Sequence, residues 1–112
     1  MKKLILSIFF LSLFIHHSRS ENTEYLDSIG NCVIDLFKQE KYLDCYNLAK
    51  DLYSLSKEAD DTTLVFNSLY YMGFSNQRMG NMEKAIDYNM KAYEVSQSLQ
   101  RLDLQSSILN NI

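Results

Sequence analysis

A chain of 112 residues is long enough for one small domain. Hydrophobic residues make up 46% of it and charged residues 22%, a composition typical of a globular protein rather than a disordered one. It contains no Pro and only three Gly, which disfavours a β-sandwich with its many turns. These features predict long helices joined by short turns.

The first 20 residues differ from the rest and predict a signal peptide. Two lysines precede an apolar run of 12 residues, Leu4 to Ile15, and a small-x-small exit follows at Ser18-Arg19-Ser20. A helix that crosses a bilayer needs about 20 apolar residues, so this run is too short to span one. We expect residues 1–20 to be cleaved and the protein to be exported, with an uncleaved membrane anchor as the alternative.

Removal of the signal peptide would make the chain more acidic. Three of its 11 basic residues would leave while all 14 acids stay, so the net charge would change from −3 to about −6. Both histidines, His16 and His17, would leave too. No nucleic-acid binding is expected, because phosphate contacts dominate that affinity. Without His, a phosphate-binding loop or a nucleophile elbow, the remaining chain predicts no enzyme activity, metal or cofactor.

The sequence aligns with itself at an offset of 40 residues. Identical residues coincide at Tyr53 and Tyr93, Ser56 and Ser96, Leu64 and Leu104, and Leu69 and Leu109. Similar residues coincide at Tyr42 and Met82, Cys45 and Ala85, Leu55 and Val95, and Met72 and Ile112. Most of these positions are apolar or small, as expected if a repeat preserves a core.

Each unit has the apolar spacing of two helices with a turn between them. In the second unit, Gly80-Asn81 is the predicted turn, because both residues tolerate left-handed backbone angles. Its first helix should bury Leu69, Met72, Gly73 and Asn76. Its second, from about Met82, should bury Ala85, Ile86, Asn89, Ala92, Tyr93 and Val95 or Ser96. In the first unit, Glu40-Lys41 is the predicted turn. The residues expected to face inward there are Ile29, Cys32, Val33, Leu36, Phe37, Cys45, Leu48, Ala49, Leu52 and Leu55.

The stretch from Gly80 to Tyr93 resembles the turn and second helix of a tetratricopeptide repeat, and Leu69-x-x-Met72-Gly73 resembles the segment W-x-x-L-G of that family. The resemblance covers about residues 26–112. It implies an all-α solenoid of antiparallel helix hairpins, with units at about 26–65 and 66–105 and a partial unit at 106–112 that opens near Asp103. Its structural positions would be Leu69, Met72, Gly73, Gly80, Ala85 and Ala92, with Gly73 and Ala85 as the small pair where the helices cross.

The chain departs from the family pattern at several positions. Leu69 replaces the Trp, Asn76 and Asn89 replace aromatic residues, and Gln97 replaces the closing proline. In the first unit Val33 stands where the glycine is expected, and Cys45 where the alanine is. The period is 40 residues rather than 34. These departures affect the helix packing that we expect, but not the assignment to a helical-repeat class.

The resemblance also implies a function, which is to bind a protein or peptide. In this family the first helices of the units line a groove that holds the partner. Carried over by position, that groove comprises Ile34, Phe37, Lys38, Asn67, Tyr70, Tyr71, Phe74, Gln77 and Arg78. Aromatic and Arg side chains are common binding anchors. The alternative is that Phe37 and Phe74 pack against a neighbouring turn or a missing repeat.

Two further sets of residues have a structural and a functional interpretation. Cys32 and Cys45 could form a disulfide after export, but we expect them to be two small buried residues, because Val33 rather than Cys32 should lie closest to Cys45. Asp60-Asp61 is expected to be a solvated linker and the N-cap of a helix from about Thr62, rather than a weak cation site.

Repeat arrays bury a continuous core only between neighbours, and about three units are usually needed. Two units and part of a third predict an apolar edge at Leu109 and Ile112. We therefore expect an N-terminal fragment of a longer protein, with self-association through that edge or a broken reading frame as the alternatives. Exported arrays with this period resemble the periplasmic sensor regions of some bacterial membrane regulators. The hypotheses are therefore a binding module such as a sensor region, an assembly element, or an accessory region of an enzyme.

Overall fold

The computed structural model describes residues 22–110. The predicted signal peptide at 1–20 and the terminal Ile112 lie outside these residues. Five helices account for the described chain: α1 (22–38), α2 (Tyr42–Glu58), α3 (Thr62–Arg78), α4 (Met82–Ser98) and α5 (Leu102–Leu109). This confirms the all-helical class, with sequential helices packed against one another, and residues 22–110 contain no strand. None of the helices described is long and apolar enough to cross a membrane.

The helices recur at a spacing of 20 residues. Helices α2, α3 and α4 are each 17 residues long, and three residues separate each helix from the next. Such short connections make neighbouring helices antiparallel. The 40-residue period of the sequence is therefore one helix hairpin. The predicted helix starts at Thr62 and Met82 are confirmed, whereas the unit boundaries at 26 and 66 fall four residues inside α1 and α3.

The four turns share one backbone conformation. Each contains one left-handed residue, and these are Glu40, Asp60, Gly80 and Gln100, with φ of 60°, 53°, 83° and 53°. In the first turn, the Glu40 N–H donates to the Phe37 carbonyl at 3.0 Å and the Lys41 N–H to the Leu36 carbonyl at 2.9 Å. The same pair of bonds recurs in the other three turns and is the Schellman motif, which satisfies carbonyls at a helix C-terminus.

The next helix begins directly after each turn. Asp61 accepts a hydrogen bond from the backbone N–H of Leu64 at 3.1 Å, as the predicted N-cap of α3. Asp60 is exposed and supplies the left-handed residue of the turn. The expectation of a solvated linker and cap at Asp60-Asp61 is therefore confirmed.

The buried faces of α2 and α4 are equivalent residue by residue. The matched buried pairs are Cys45 and Ala85, Ala49 and Asn89, Leu52 and Ala92, and Ser56 and Ser96. Most of these side chains are small, so the helix backbones approach closely. The buried hydroxyls bond within their own helix: Ser56 donates to the Leu52 carbonyl at 2.6 Å and Ser96 to the Tyr93 carbonyl at 2.6 Å.

Helix α3 packs against both α2 and α4 and is the most buried helix. Its buried residues are Leu64, Phe66, Ser68, Leu69, Met72, Gly73, Ser75 and Asn76. The predicted close approach at Gly73 is confirmed. A Cβ atom there would overlap Asn89 Oδ1 and would lie 3.0 Å from Asn89 Cγ and 3.4 Å from the Ala85 carbonyl. The side chain that needs the space is thus Asn89 rather than Ala85.

Two residues predicted to face inward are exposed instead. Cys32 precedes Val33, and because successive helix residues point about 100° apart, the buried position goes to Val33. Ile86 is 44% exposed. Its equivalent in α2 is Tyr46, which α4 contacts, whereas no helix in the described part of the chain contacts Ile86 from that side.

Candidate functional site

Helices α1 and α3 lie side by side and present matching rows of side chains. Each row follows one helix face at spacings of three and four residues. At the 40-residue offset the matches are Asp27 with Asn67, Asn31 with Tyr71, Ile34 with Phe74, and Lys38 with Arg78. We call this surface, formed by α1 and α3, the paired-row face.

A cleft of about 320 Å³ opens on the paired-row face between α1 and α3. Its lining residues are Asp27, Gly30, Asn31, Val33, Ile34, Leu52, Leu64, Asn67 and Tyr71. Three of the predicted groove residues, Ile34, Asn67 and Tyr71, therefore line one cleft. Sequence reasoning missed Asp27 and Asn31, although the 40-residue offset from Asn67 and Tyr71 leads directly to them.

The other predicted aromatic residues form a connected cluster beside the cleft. Phe37 and Phe74 stack with ring centroids 4.9 Å apart, and Tyr71 meets Phe37 edge-on at 5.6 Å. Along α3, Tyr70 stacks on Phe74 at 5.8 Å and on Phe66 at 6.0 Å. Phe37, Tyr70, Tyr71 and Phe74 are all half-buried. Phe37 and Phe74 thus pack on each other and on the tyrosines of α3, and each ring keeps part of its surface exposed.

Tyr71 connects the cleft to the core. Burial is the main cause that raises its pKa above the ordinary value of 10.0, with smaller contributions from Tyr70 and Cys45. Its phenol is therefore protonated at neutral pH. Tyr71 lines the cleft and also packs on Phe37, so the aromatic cluster holds its side chain in place.

Charges lie at both ends of the paired-row face. Lys38 and Arg78, which end the two rows, are exposed, and within residues 22–110 neither has a carboxylate within 4.0 Å. The guanidinium of Arg78 sits 5.2 Å from the Phe74 ring centroid. Asp27 lies 11 residues before Lys38, which is about 16 Å along a helix. The face is therefore acidic at one end and basic at the other.

Gln77 is a less obvious member of the predicted groove. It is half-buried, and its Oε1 atom is buried without a hydrogen-bond partner among the described residues. An amide oxygen in this position can accept a hydrogen bond from water or from a donor on a bound partner.

The two cysteines do not form a disulfide. Both are free, Cys45 buried and Cys32 exposed. The Cys45 thiol donates to the Val33 carbonyl at 3.4 Å, which agrees with the expectation that Val33 lies closest to it. Burial raises the pKa of the Cys45 thiol, against a smaller opposing contribution from Ser75. The described residues contain no group of three or more side chains placed to hold a metal ion.

No protein-family model, curated protein or solved structure matches the chain. Its function must therefore be inferred from the paired-row face itself.

Proposed function

We propose that this chain is a tetratricopeptide-like scaffold that binds an extended peptide or protein segment on the paired-row face, outside the cytoplasm, and that it catalyses no reaction. The observation that carries the proposal is the cleft between α1 and α3, where two asparagines and a tyrosine lie beside a half-exposed aromatic cluster. The location follows from the apolar segment and small-x-small exit in residues 1–20.

The side chains of the cleft suit a peptide backbone. An asparagine amide offers both a donor and an acceptor, as a peptide group does. Asn31 and Asn67 lie on opposite sides of the cleft, one on each helix, and both can reach a strand of peptide laid along it. Apolar side chains of that peptide would pack on Ile34 and on the exposed edge of the aromatic cluster.

The charges on the face set the polarity of the peptide. Asp27 favours a basic group, while Lys38 and Arg78 favour a carboxylate about 16 Å away. An extended chain advances about 3.3 Å per residue, so this span corresponds to about five residues. We therefore expect a peptide with a basic residue and an acidic residue, or a C-terminal carboxylate, separated by that distance.

Selection from a random heptapeptide library displayed on phage tests the proposal. The peptides that bind the full chain should lose at least about tenfold in affinity with Asn67→Ala or Tyr71→Ala, since each removes a contact in the cleft. Tyr25→Ala is the matched control, because Tyr25 is 62% exposed on α1 and does not line the cleft. Failure to enrich any peptide, or equal binding to all variants, would contradict the proposal.

A second candidate role is assembly through the edge formed by α4 and α5. The apolar residues Met82, Ile86 and Met90 of α4 are 52%, 44% and 55% exposed. Leu109 of α5 is 59% exposed, whereas its equivalent Leu69 in α3 is 2% exposed. An apolar stripe on one helix can pair with itself across a twofold axis.

Light scattering distinguishes the two roles. A dimer of the native chain that becomes a monomer with Ile86→Glu would support assembly through this edge. A strict monomer at high concentration would remove the assembly role and leave the peptide-binding role intact. Because Ile86 is exposed, the substitution should leave the fold intact, and circular dichroism checks this.

A further inference from the structure

A second cleft lies on the opposite side of the molecule, between α2 and α4. Its volume is about 240 Å³, and the side chains that matter are Lys50 and Tyr53 from α2, Tyr88 and Lys91 from α4, and Leu69 and Met72 from α3. Leu69 and Met72 are each 2% exposed, so they form an apolar floor. The walls above that floor are polar. We call this site the two-lysine cleft.

The two lysines are held in place by aromatic rings rather than by acids. Lys50 Nζ lies 5.4 Å from the Tyr46 ring centroid, and Lys91 Nζ lies 5.7 Å from that of Tyr88. Across residues 22–110 no carboxylate comes within 4.0 Å of either ammonium group. Lys38 and Arg78 also lack an ion pair in that part of the chain, so what distinguishes this site is that two lysines line one cleft above an apolar floor. No acidic side chain of the described helices lines the cleft, so its lining carries positive charge only.

The repeat does not explain these lysines. At the 40-residue offset, Lys50 corresponds to Met90 and Lys91 corresponds to Asp51. The two lysines therefore line one cleft only because α2 packs beside α4. Residues that preserve the repeat core occupy other positions, so packing of the repeat does not require a lysine at either site.

A hydrogen bond between the two tyrosines fixes the walls. The Tyr46 and Tyr88 hydroxyls are 3.0 Å apart, and their rings are 5.9 Å apart. That hydrogen bond is the main cause that raises the pKa of Tyr88 to about 12, followed by burial and by nearby tyrosines and Asp87. The phenol thus brings no negative charge to the cleft at neutral pH. Asp87 acts on Tyr88 but does not line the cleft.

We propose that the two-lysine cleft binds a small organic carboxylate, with the carboxylate between Lys50 and Lys91 and a short apolar chain on Leu69 and Met72. Ammonium groups form short, strong hydrogen bonds with carboxylates, and Tyr53 adds a hydroxyl at the same cleft. The apolar floor favours a ligand with a hydrocarbon part over an inorganic anion. This site is separate from the paired-row face and does not depend on peptide binding there.

Titration of the full chain with hexanoate, followed by amide chemical shifts, tests the proposal. Hexanoate should shift the amides around Lys50, Leu69 and Lys91. Hexanol, which lacks the charge, and inorganic phosphate, which lacks the apolar chain, should each bind at least about tenfold more weakly. Equal binding of hexanol or of phosphate, or no binding of hexanoate, overturns the proposal.

Substitutions test whether hexanoate binds at the two-lysine cleft. Lys50→Gln and Lys91→Gln should each weaken hexanoate binding by about tenfold, because each removes one charged hydrogen-bond donor. Lys57→Gln is the matched control, since Lys57 lies on the same helix, 5.2 Å from the Tyr53 ring centroid, but does not line the cleft. All three lysines are exposed, so the variants should fold. An equal loss with Lys57→Gln would indicate only general charge attraction and would overturn the assignment to this cleft.

Discussion

Gly73 provides the space that the Asn89 side chain fills where α3 crosses α4. The corresponding positions of the first unit hold Val33 and Ala49, so the large residue is on the first helix there and on the second helix here. Asn89 Oδ1 is buried at this crossing without a hydrogen-bond partner in the described residues. Each unit therefore places a larger residue opposite a smaller one at this crossing, but on opposite helices.

This exchange predicts that the effect of Gly73→Ala depends on Asn89. In the native chain, the added Cβ would overlap Asn89 Oδ1, so the free energy of unfolding should fall by about 1 kcal/mol or more. In the Asn89→Ala background the space is free, and Gly73→Ala should raise the free energy of unfolding by about 1 kcal/mol because alanine has the higher helix propensity. Urea denaturation of the two single variants and the double variant measures the coupling.

Gly30→Ala is the control for that cycle. A Cβ atom at Gly30 would lie 3.6 Å from Leu64 Cδ2 and 3.9 Å from Leu52 Cδ2, which are ordinary contacts. This variant should be more stable than the native protein by about 0.5–1 kcal/mol. If Gly73→Ala had the same effect with and without Asn89, the packing described at this crossing would be incorrect.

The left-handed turns predict a second pair of opposite effects. Gly80→Ala should destabilise the protein by about 1 kcal/mol, because an alanine at φ of 83° is strained although no atom lies within 4 Å of its Cβ. Glu40→Gly should stabilise it by up to about 1 kcal/mol, since Glu40 already has a φ of 60°. Thermal or urea denaturation gives both values. A neutral Gly80→Ala would argue against the left-handed turn.

The tyrosine pair predicts a loss of stability at alkaline pH. The native pKa of Tyr88 is raised from 10.0 to about 12, first by its hydrogen bond to Tyr46. The native state therefore holds this proton more tightly than the unfolded state does. The stabilisation is fully present below about pH 10 and is lost as the pH rises towards 12. Urea denaturation across this range should show a steeper decline for the native chain than for Tyr88→Phe, and equal slopes would contradict the assignment.

The cysteines should differ in reactivity. In the native protein a thiol reagent should label Cys32 quickly and Cys45 slowly, because Cys45 is buried and its raised pKa reduces the reactive thiolate. After oxidation and denaturation both should be labelled, as expected for two free thiols. Mass spectrometry counts the labels. Protection of both cysteines in the denatured, oxidised protein would instead indicate a disulfide.

The sequence predicted the helices and much of the core because both follow the apolar period. Gly80 marked the turn between α3 and α4. The 40-residue offset paired Cys45 with Ala85 and Ser56 with Ser96, which are equivalent buried positions. The period could not predict that Ile86 is exposed. This residue occupies a repeated apolar position, but no helix covers it in residues 22–110. Burial at that position depends on the neighbouring helix and not on the local pattern.

The candidate sites were predicted less completely for a similar reason. Ile34, Asn67 and Tyr71 were predicted to line the groove, whereas Asp27 and Asn31, their counterparts at the 40-residue offset from Asn67 and Tyr71, were not. The two-lysine cleft had no signal at all in the sequence. Lys50 and Lys91 are 41 residues apart and lie outside the repeated positions, so only the packing of α2 beside α4 brings them together.

The most direct test of peptide binding is to map a library-selected heptapeptide on the chain by amide chemical shifts. The perturbed amides should cluster on the paired-row face, around Asn31, Asn67 and Tyr71, and Asn67→Ala should abolish the perturbation. Perturbations centred on Lys50 and Lys91, or on the exposed edge at Ile86 and Leu109, would contradict this expectation.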